Sequence, residues 1–480
     1  MRRRHRLVAL SAAVLAAVGL SVATPADAAP ARHVPGQEGQ ARQSHFGFIF
    51  PGLQGFTSPS VQDLADLAQT QLDPNADSEN NQDPEMTSIY TYFGQFIDHD
   101  LTSDSSPSPT APVDPTTLPN GRTFRFDLDS VYGGGPSVSP QLYEADGKHF
   151  KVQNPNPNGV VDLPRNADGS AILVEPRNDE NEVISQIHTA FLLVHNKEID
   201  RGLSFAEAQR RTIDLYQTIV LKEVLPHFVG QDVTDQTLNG QLKRFYKPGN
   251  PNRPMTPVEF SVAAYRFGHS MVRRAYELTT TTGKIQVFSA TAPDLRGGRQ
   301  LPSGRQIDWG NFVHELSRPD NLTPVSHVNQ SRKIDTLISS SLFVLPIPGA
   351  EASGSNVLAF RNMVRAKFYS MADGQDVAKA MGIPPIAPAD LHLAAPFDAG
   401  TPLWYYILAE SSRDTDGKTL GPVGGRIVAD VFVRLLQIDR NSILRGQRGF
   451  TPAAPEAGTP GRFEFDDLFV FAGLAKRAEP

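Results

Sequence analysis

Apolar residues along this chain recur at spacings of three and four far more often than they alternate, and that rhythm predicts helices. Glu182 to Arg201 (EVISQIHTAFLLVHNKEIDR) holds the rhythm well, with Asp179 and Glu182 placed to form a capping box at its start. Further helices are expected over Phe205 to Phe228, Val258 to Tyr276, Asn356 to Met381 and Gly425 to Leu436. Strand-like alternation is scarce. Residues 73–85 (DPNADSENNQDPE) are acidic and lack apolar periodicity, so they read as a surface loop, and Ser103 to Gly121 reads as another. The turn GPVGGR (421–426) lacks the Lys-Ser/Thr ending and the preceding strand of a phosphate loop, and is expected to start a helix. No repeat or linker interrupts residues 46–475, so the expected fold is mainly α, a large single helical domain with very little sheet.

The N-terminus departs from that pattern. Arg2, Arg3, Arg4 and Arg6 precede an apolar run from Leu7 to Val22, and Ala26-Asp27-Ala28 offers a small-x-small cleavage site. Residues 1–28 therefore read as a signal peptide, 29–45 as a flexible leader, and the mature chain as secreted, with no membrane association after signal removal. Composition narrows the partners. Of 480 residues 39% are hydrophobic and 20% charged, as in a globular protein, and a net charge of −7 argues against nucleic acid. There is no cysteine, which excludes disulfides, thiolate nucleophiles and thiolate-held metals. Any metal is held by His, carboxylates or carbonyls.

Four segments break the apolar pattern with polar groups that burial makes costly unless each finds a partner. In FGQFIDHDLT (93–102), Gln95 and His99 are four apart on a helix, Asp98 flanks the same face, and Asp100 lies about 100° further round. In RTFRFDLDSVYGGGP (122–136), Thr123, the Arg125 carbonyl, Asp127 and Asp129 follow one another at spacings of two. Alternating oxygens on a loop are how a chain wraps a hard cation such as calcium, although a strand with a charged outer face gives the same pattern. In EPRNDENEVISQIHTAFLLVHN (175–196), Arg177 and Glu180 precede the helix, while His188 and His195 are seven apart and read as hydrogen-bonded core residues. In AAYRFGHSMV (263–272), Gly268 beside His269 lets a flat, bulky object approach the backbone, with Arg266 able to reach an anionic edge of it.

Taken in order, GQFIDHD, TFRFDLDSVYGG, Arg177-x-x-Glu180 with His188-x6-His195-Asn, YRFGHS and LAFRNMVRAKFYSMADGQ resemble the animal-type haem peroxidases. That is the peroxidase–cyclooxygenase superfamily, and the likeness is to secreted bacterial, peroxinectin- and myeloperoxidase-like members. It spans about residues 46 to 475. It implies a secreted enzyme that reduces hydrogen peroxide or organic hydroperoxides and oxidises small phenolic, halide or pseudohalide donors, with haem b and one Ca2+ as cofactors. His269 would be the axial haem ligand and Asn362 the acceptor of its other N–H. His99 would be the distal base, with Arg177 and Gln95 beside it. Asp98 and Glu180 match carboxylates that form ester links to haem, and Arg266 and Arg365 match residues near its propionates. Asn181 stands where myeloperoxidase has a methionine, so no third link is implied. Asp100, Thr123, Arg125, Asp127 and Asp129 match the calcium loop. A monomer is expected. A fatty-acid dioxygenase of the same superfamily needs a radical-forming tyrosine, for which Tyr369, Tyr405 and Tyr406 lie in the wrong context. A non-catalytic adhesion protein is the other alternative, which the presence of His99 and Arg177 disfavours.

Overall fold

The computed structural model describes residues 44–477 apart from 57–58, 76–81, 105–111, 280–281, 290–292, 315, 318–327, 348–355, 394, 446–451 and 453–455. The expected signal peptide and nearly all of the leader fall outside these residues. Helices of ten or more residues are α1 (Val61–Thr70), α2 (Ser88–Leu101), α3 (Glu182–Asp200), α4 (Phe205–Ile219), α5 (Leu358–Phe368), α6 (Leu403–Thr415) and α7 (Pro422–Ile438). The described sheet consists of two-stranded pairs only. The fold is thus mainly helical, as expected.

Helix α2 explains how the site is built. Every residue of it except Gly94 and Gln95 is buried, so it runs through the core and not along a surface. Phe96 stacks on Phe191 of α3 with ring centroids 5.2 Å apart, and Phe93 meets Tyr216 of α4 at 6.1 Å. These contacts fix both the rotation and the depth of α2, and therefore where its polar residues point.

Several local expectations are corrected. The cap of α3 is Asn181, whose side chain accepts from the Ile184 N–H at 3.0 Å. Asp179 and Glu182 are instead claimed by Arg165 and Arg305, each at 2.8 Å. The segment Val258 to Tyr276 is no single helix: a π turn (Glu259–Ala263) runs into a 3-10 stretch (Ala264–His269), and Ala275–Glu277 is a strand paired with Lys284–Gln286. Burial of Glu259, which accepts from the Ile49 and Phe50 N–H groups at 2.9 and 3.0 Å, anchors the irregular start. The span Asn356 to Met381 is split between α5 and Gly374–Met381, with Ser370 left-handed at φ 53°. The 73–85 loop is partly structural: Asp73 is buried against Arg332 at 2.7 Å, and Gln82–Thr87 pairs with Gln330–Arg332. The GPVGGR turn does start a helix, α7, and the Glu410 carboxylate accepts its Val423 N–H at 2.9 Å. A Cβ at Gly421 would stand 2.4 Å from Glu410, which accounts for the glycine there.

Candidate functional site

Helix α2 sends its polar groups in two directions, as its periodicity requires. On one face Gln95 donates to Glu180, Asp98 lies 3.2 Å from Arg266, and His99 faces Asn178 and Glu180. On the other, Asp100 enters the acidic loop. The residues singled out in four separate sequence segments therefore meet around one helix.

The hydrogen bonds set the protonation pattern. His99 Nδ1 lies 3.0 Å from the Asn178 oxygen, which can only accept, so Nδ1 carries the proton and Nε2 keeps its lone pair. That Nε2 lies 3.9 Å from Glu180 Oε1. The amide of Asn178 in turn donates to His188 Nδ1 at 3.0 Å, so His188 is part of a relay that orients His99. His195 is held by Tyr132 and the Lys148 carbonyl at 3.0 and 2.9 Å, the core role expected of it. Burial, with Arg177 nearby, pushes His99 down to about 4, which leaves a neutral imidazole at pH 7.

Arg177 is more engaged than its sequence position suggested. It is clamped by Glu175 through Nε at 2.8 Å and Nη2 at 2.9 Å, and Nη2 also donates to the Thr102 carbonyl at 2.6 Å. It thereby caps the C-terminal end of α2, where helix carbonyls favour a cation. Nη1 makes no hydrogen bond among the described residues. Burial opposes ionisation of Glu175, but Arg177 and Arg122 outweigh it and hold the carboxyl down at about 2.

A cavity of about 220 Å³, reached by Thr102 just past α2, is lined among others by His269, Asn362, Arg266, Arg361, Arg365 and Ser261, and not by Gln95, Asp98, His99, Arg177 or Glu180. The Asn362 amide nitrogen sits 2.8 Å from His269 Nδ1, and His269 Nε2 makes no hydrogen bond among the described residues. As placed, that N–H donates to Nδ1 and leaves the ring proton on Nε2; a metal ligand needs the amide flipped, with its oxygen accepting from Nδ1–H. Burial, reinforced by Arg266, pushes this histidine down to about 3 and so keeps it neutral. A Cβ at Gly268 would meet nothing within 4 Å, and the buried Ser261 hydroxyl has no protein partner. Arg365 and Tyr369 share Asp104, at 2.9 and 2.6 Å. A neutral imidazole, three guanidinium groups and an open glycine face fit an iron macrocycle with anionic side groups. The Asp98–Arg266 ion pair, at 3.2 Å, bridges α2 and the His269 segment.

Two carboxyls on this side are driven in opposite directions. Burial opposes ionisation of Asp98, yet Arg266 and Arg177 overcome it and hold its carboxyl below the usual range. Glu180 is pushed up to about 7, by desolvation first and then by Glu175 and Asp98, with Arg177 only partly offsetting them. Its side chain is 44% exposed.

The acidic loop has the opposite balance. Carboxylate oxygens of Asp100, Asp127 and Asp129 lie within 4.8 Å of one another. Asp100 accepts from the Ser130 hydroxyl at 2.9 Å, and Thr123 donates its hydroxyl to Asp127 at 2.9 Å. Asp129 Oδ1 is buried with no partner, and Arg122 stands 3.6 Å from its other oxygen. Burial, then mutual repulsion, pushes Asp100 and Asp127 up, Asp127 to about 7; burial also raises Asp129. Phe124 and Leu128 are left-handed at φ 54° each, an uncommon geometry for non-glycine residues that folds the loop inward. An orphaned buried carboxylate oxygen among three acids fits a hard cation with oxygen ligands. The Arg125 side chain leaves the loop, reaching Asp439 at 3.4 Å.

Comparison with known proteins agrees with this geometry. The family model for Animal haem peroxidase matches residues 106–296. The chain is 24% identical over 373 residues to Chorion peroxidase of Aedes aegypti, covering 72% of this chain and 44% of that protein. It is 23% identical to Peroxinectin A of Dictyostelium discoideum, covering 54% and 49%. The chain thus spans about half the length, or less, of these curated relatives. Among solved structures, Peroxidase A from Dictyostelium discoideum superposes with a TM-score of 0.56 at 18% identity, covering 83% of this chain and 87% of that one. Fatty acid alpha-dioxygenase from Oryza sativa does so at 0.53 and 16% identity, covering 81% and 76%. The shared fold is therefore that of the helical haem peroxidases.

Sequence reasoning missed Asn178, Glu175 and Asp104. Each is one polar residue in a segment already rich in them, and nothing but the packing partner distinguishes it.

Proposed function

We propose that this protein is a secreted haem peroxidase that reduces hydrogen peroxide or an organic hydroperoxide and oxidises small phenolic or halide-type donors. The observation that carries the reading is the pairing of a neutral His99, its Nε2 unprotonated and Arg177 beside it, with a His269 in the cavity wall beside Asn362. When bound, haem would supply the iron and hold the two oxidising equivalents delivered by the peroxide.

The chain's own residues account for the rest. His269 would hold the iron, with Asn362 fixing its ring, and Arg266, Arg361 and Arg365 would receive the anionic edge. His99 Nε2 takes the hydroperoxide proton and returns it to the departing oxygen, a task that requires the imidazole to be neutral beforehand. Arg177 Nη1 and the Gln95 amide favour charge developing on the oxygens. Asp98 and Glu180 are the residues that would form ester links. Asn181, as the cap of α3, is committed to the helix and offers no third one. The acidic loop, with Asp100, Thr123, the Arg125 carbonyl, Asp127 and Asp129, would hold one Ca2+ and tie α2 in place. Secretion rests on the N-terminal sequence, and among the described residues no helix is long and apolar enough to cross a membrane.

The test is an absorption spectrum of haem-reconstituted protein, before and after peroxide, with a phenolic donor added last. A Soret band that shifts with peroxide and recovers as donor is oxidised is expected of the native chain. H269A is expected to lose the band, and H99A to keep it while losing the response. A native band indifferent to peroxide would overturn the peroxidase reading, and a band retained by H269A would overturn the ligand assignment.

A further inference from the structure

A second concave site lies outside this machinery. A cleft of about 930 Å³ is lined by Arg125, Arg244, Arg434, Arg440 and Arg445 against a single acid, Asp439. Only Arg125 is paired, with Asp439 at 3.4 Å. The guanidinium groups of Arg244, Arg434, Arg440 and Arg445 make no ion pair or hydrogen bond among the described residues. The nearby Asp430 feels Arg244 and Arg434, but its carboxylate is already occupied by the N–H groups of Phe245 and Tyr246, at 2.6 and 2.8 Å.

Five guanidinium groups thus face one lining carboxylate on a chain whose net charge is −7. Like charges gathered in a concavity repel, and low-dielectric walls focus their field outward. Their uniform choice as arginine matters, since the guanidinium fork matches phosphate and sulfate oxygens in pairs whereas lysine offers a point charge. The volume is that of a small-molecule site and not of a groove for a long polymer.

We propose that this cleft binds a small oligoanion carrying phosphate or sulfate groups. Arg434 and Arg440, at the end of α7 and just beyond it, supply two of the forks, with Arg244 and Arg445 lining the same cleft. Arg125 lies between Thr123 and Asp127 in the acidic loop, so an occupied cleft and a cation-loaded loop act on the same piece of chain. This reading does not depend on the peroxidase assignment.

Isothermal titration of the full chain, with fructose bisphosphate and separately with sucrose octasulfate, tests it. Saturable one-to-one binding that weakens with added salt is expected for at least one probe. R434Q/R440Q is expected to lower that affinity about tenfold or more, from the charged hydrogen bonds removed. The control K284Q/K379Q changes net charge equally at two exposed lysines and is expected to leave it unchanged. Binding of the bisphosphate alone identifies phosphate as the preferred group, of the octasulfate alone sulfate, and of both a site that reads charge density. No binding of either probe, or an equal loss in the lysine control, overturns the proposal. Denaturation midpoints of both variants establish that each is folded.

Discussion

Helix α2 separates two clusters of buried carboxyls that solve the same electrostatic problem differently. On the cavity side Asp98 and Glu175 are matched by Arg266, Arg177 and Arg122, with the closest approaches at 3.2, 2.8 and 3.2 Å. The result is two ionised carboxylates held below their usual range and one, Glu180, pushed up to about 7. On the loop side Asp100, Asp127 and Asp129 share one arginine at 3.6 Å, and all three are pushed up. The first cluster is neutralised by the chain itself and can spend the difference in proton affinity on acid–base work. The second is left short of positive charge, and only a bound cation completes it.

Breaking the internal compensation has the largest expected effect. R266A leaves Asp98 buried without its counter-ion, and is expected to destabilise the protein by about 3 kcal/mol, read from the urea midpoint. D98N/R266A is expected to recover part of that loss. If R266A alone is neutral, the ion pair does not hold α2 against the His269 segment.

Removing the external compensation comes next. Chelation is expected to lower stability by about 2.7 kcal/mol when the cation had been present at a hundred times its Kd. It also changes the pH dependence. In the chelated loop Asp127 rises from 3.8 to about 7, so the folded state binds a proton the unfolded chain has released. That contribution is present below about pH 4 and is lost as pH rises through 7. Glu175 runs the other way: its value falls from 4.5 to about 2, so its contribution is present above pH 4.5 and lost as pH falls through 2. Thermal melts from pH 4 to 7 are therefore expected to diverge, with the chelated protein losing stability relative to the cation-loaded one as pH rises. Parallel curves would remove the cation from the loop.

The smallest expected effect tests how the cavity side uses its balance. N178A removes the acceptor for His99 Nδ1–H at a cost of about 1 to 3 kcal/mol, a fall of roughly 5- to 150-fold in peroxide reactivity. Nitrogen NMR of the histidines is expected to show His99 losing its single tautomer, with the pH profile shifting accordingly. An unchanged tautomer would make Asn178 merely structural.

Much of this was legible in sequence because its physics is local. The three–four rhythm gave the helices, and spacing alone placed Gln95 and His99 on one face of α2 with Asp100 on another. Alternating oxygens marked the acidic loop, and the motif order pointed to the fold. What the sequence could not determine was partnership. Asp179 and Glu182 have the spacing of a cap, yet Arg165 and Arg305, one near and one 123 residues away, take them and leave the cap to Asn181. His188 looked like core packing and is, but it also reaches His99 through Asn178. Periodicity fixes the direction in which a side chain leaves its own helix. Which distant group meets it there, and therefore its charge and its tautomer, is decided only when the helices pack.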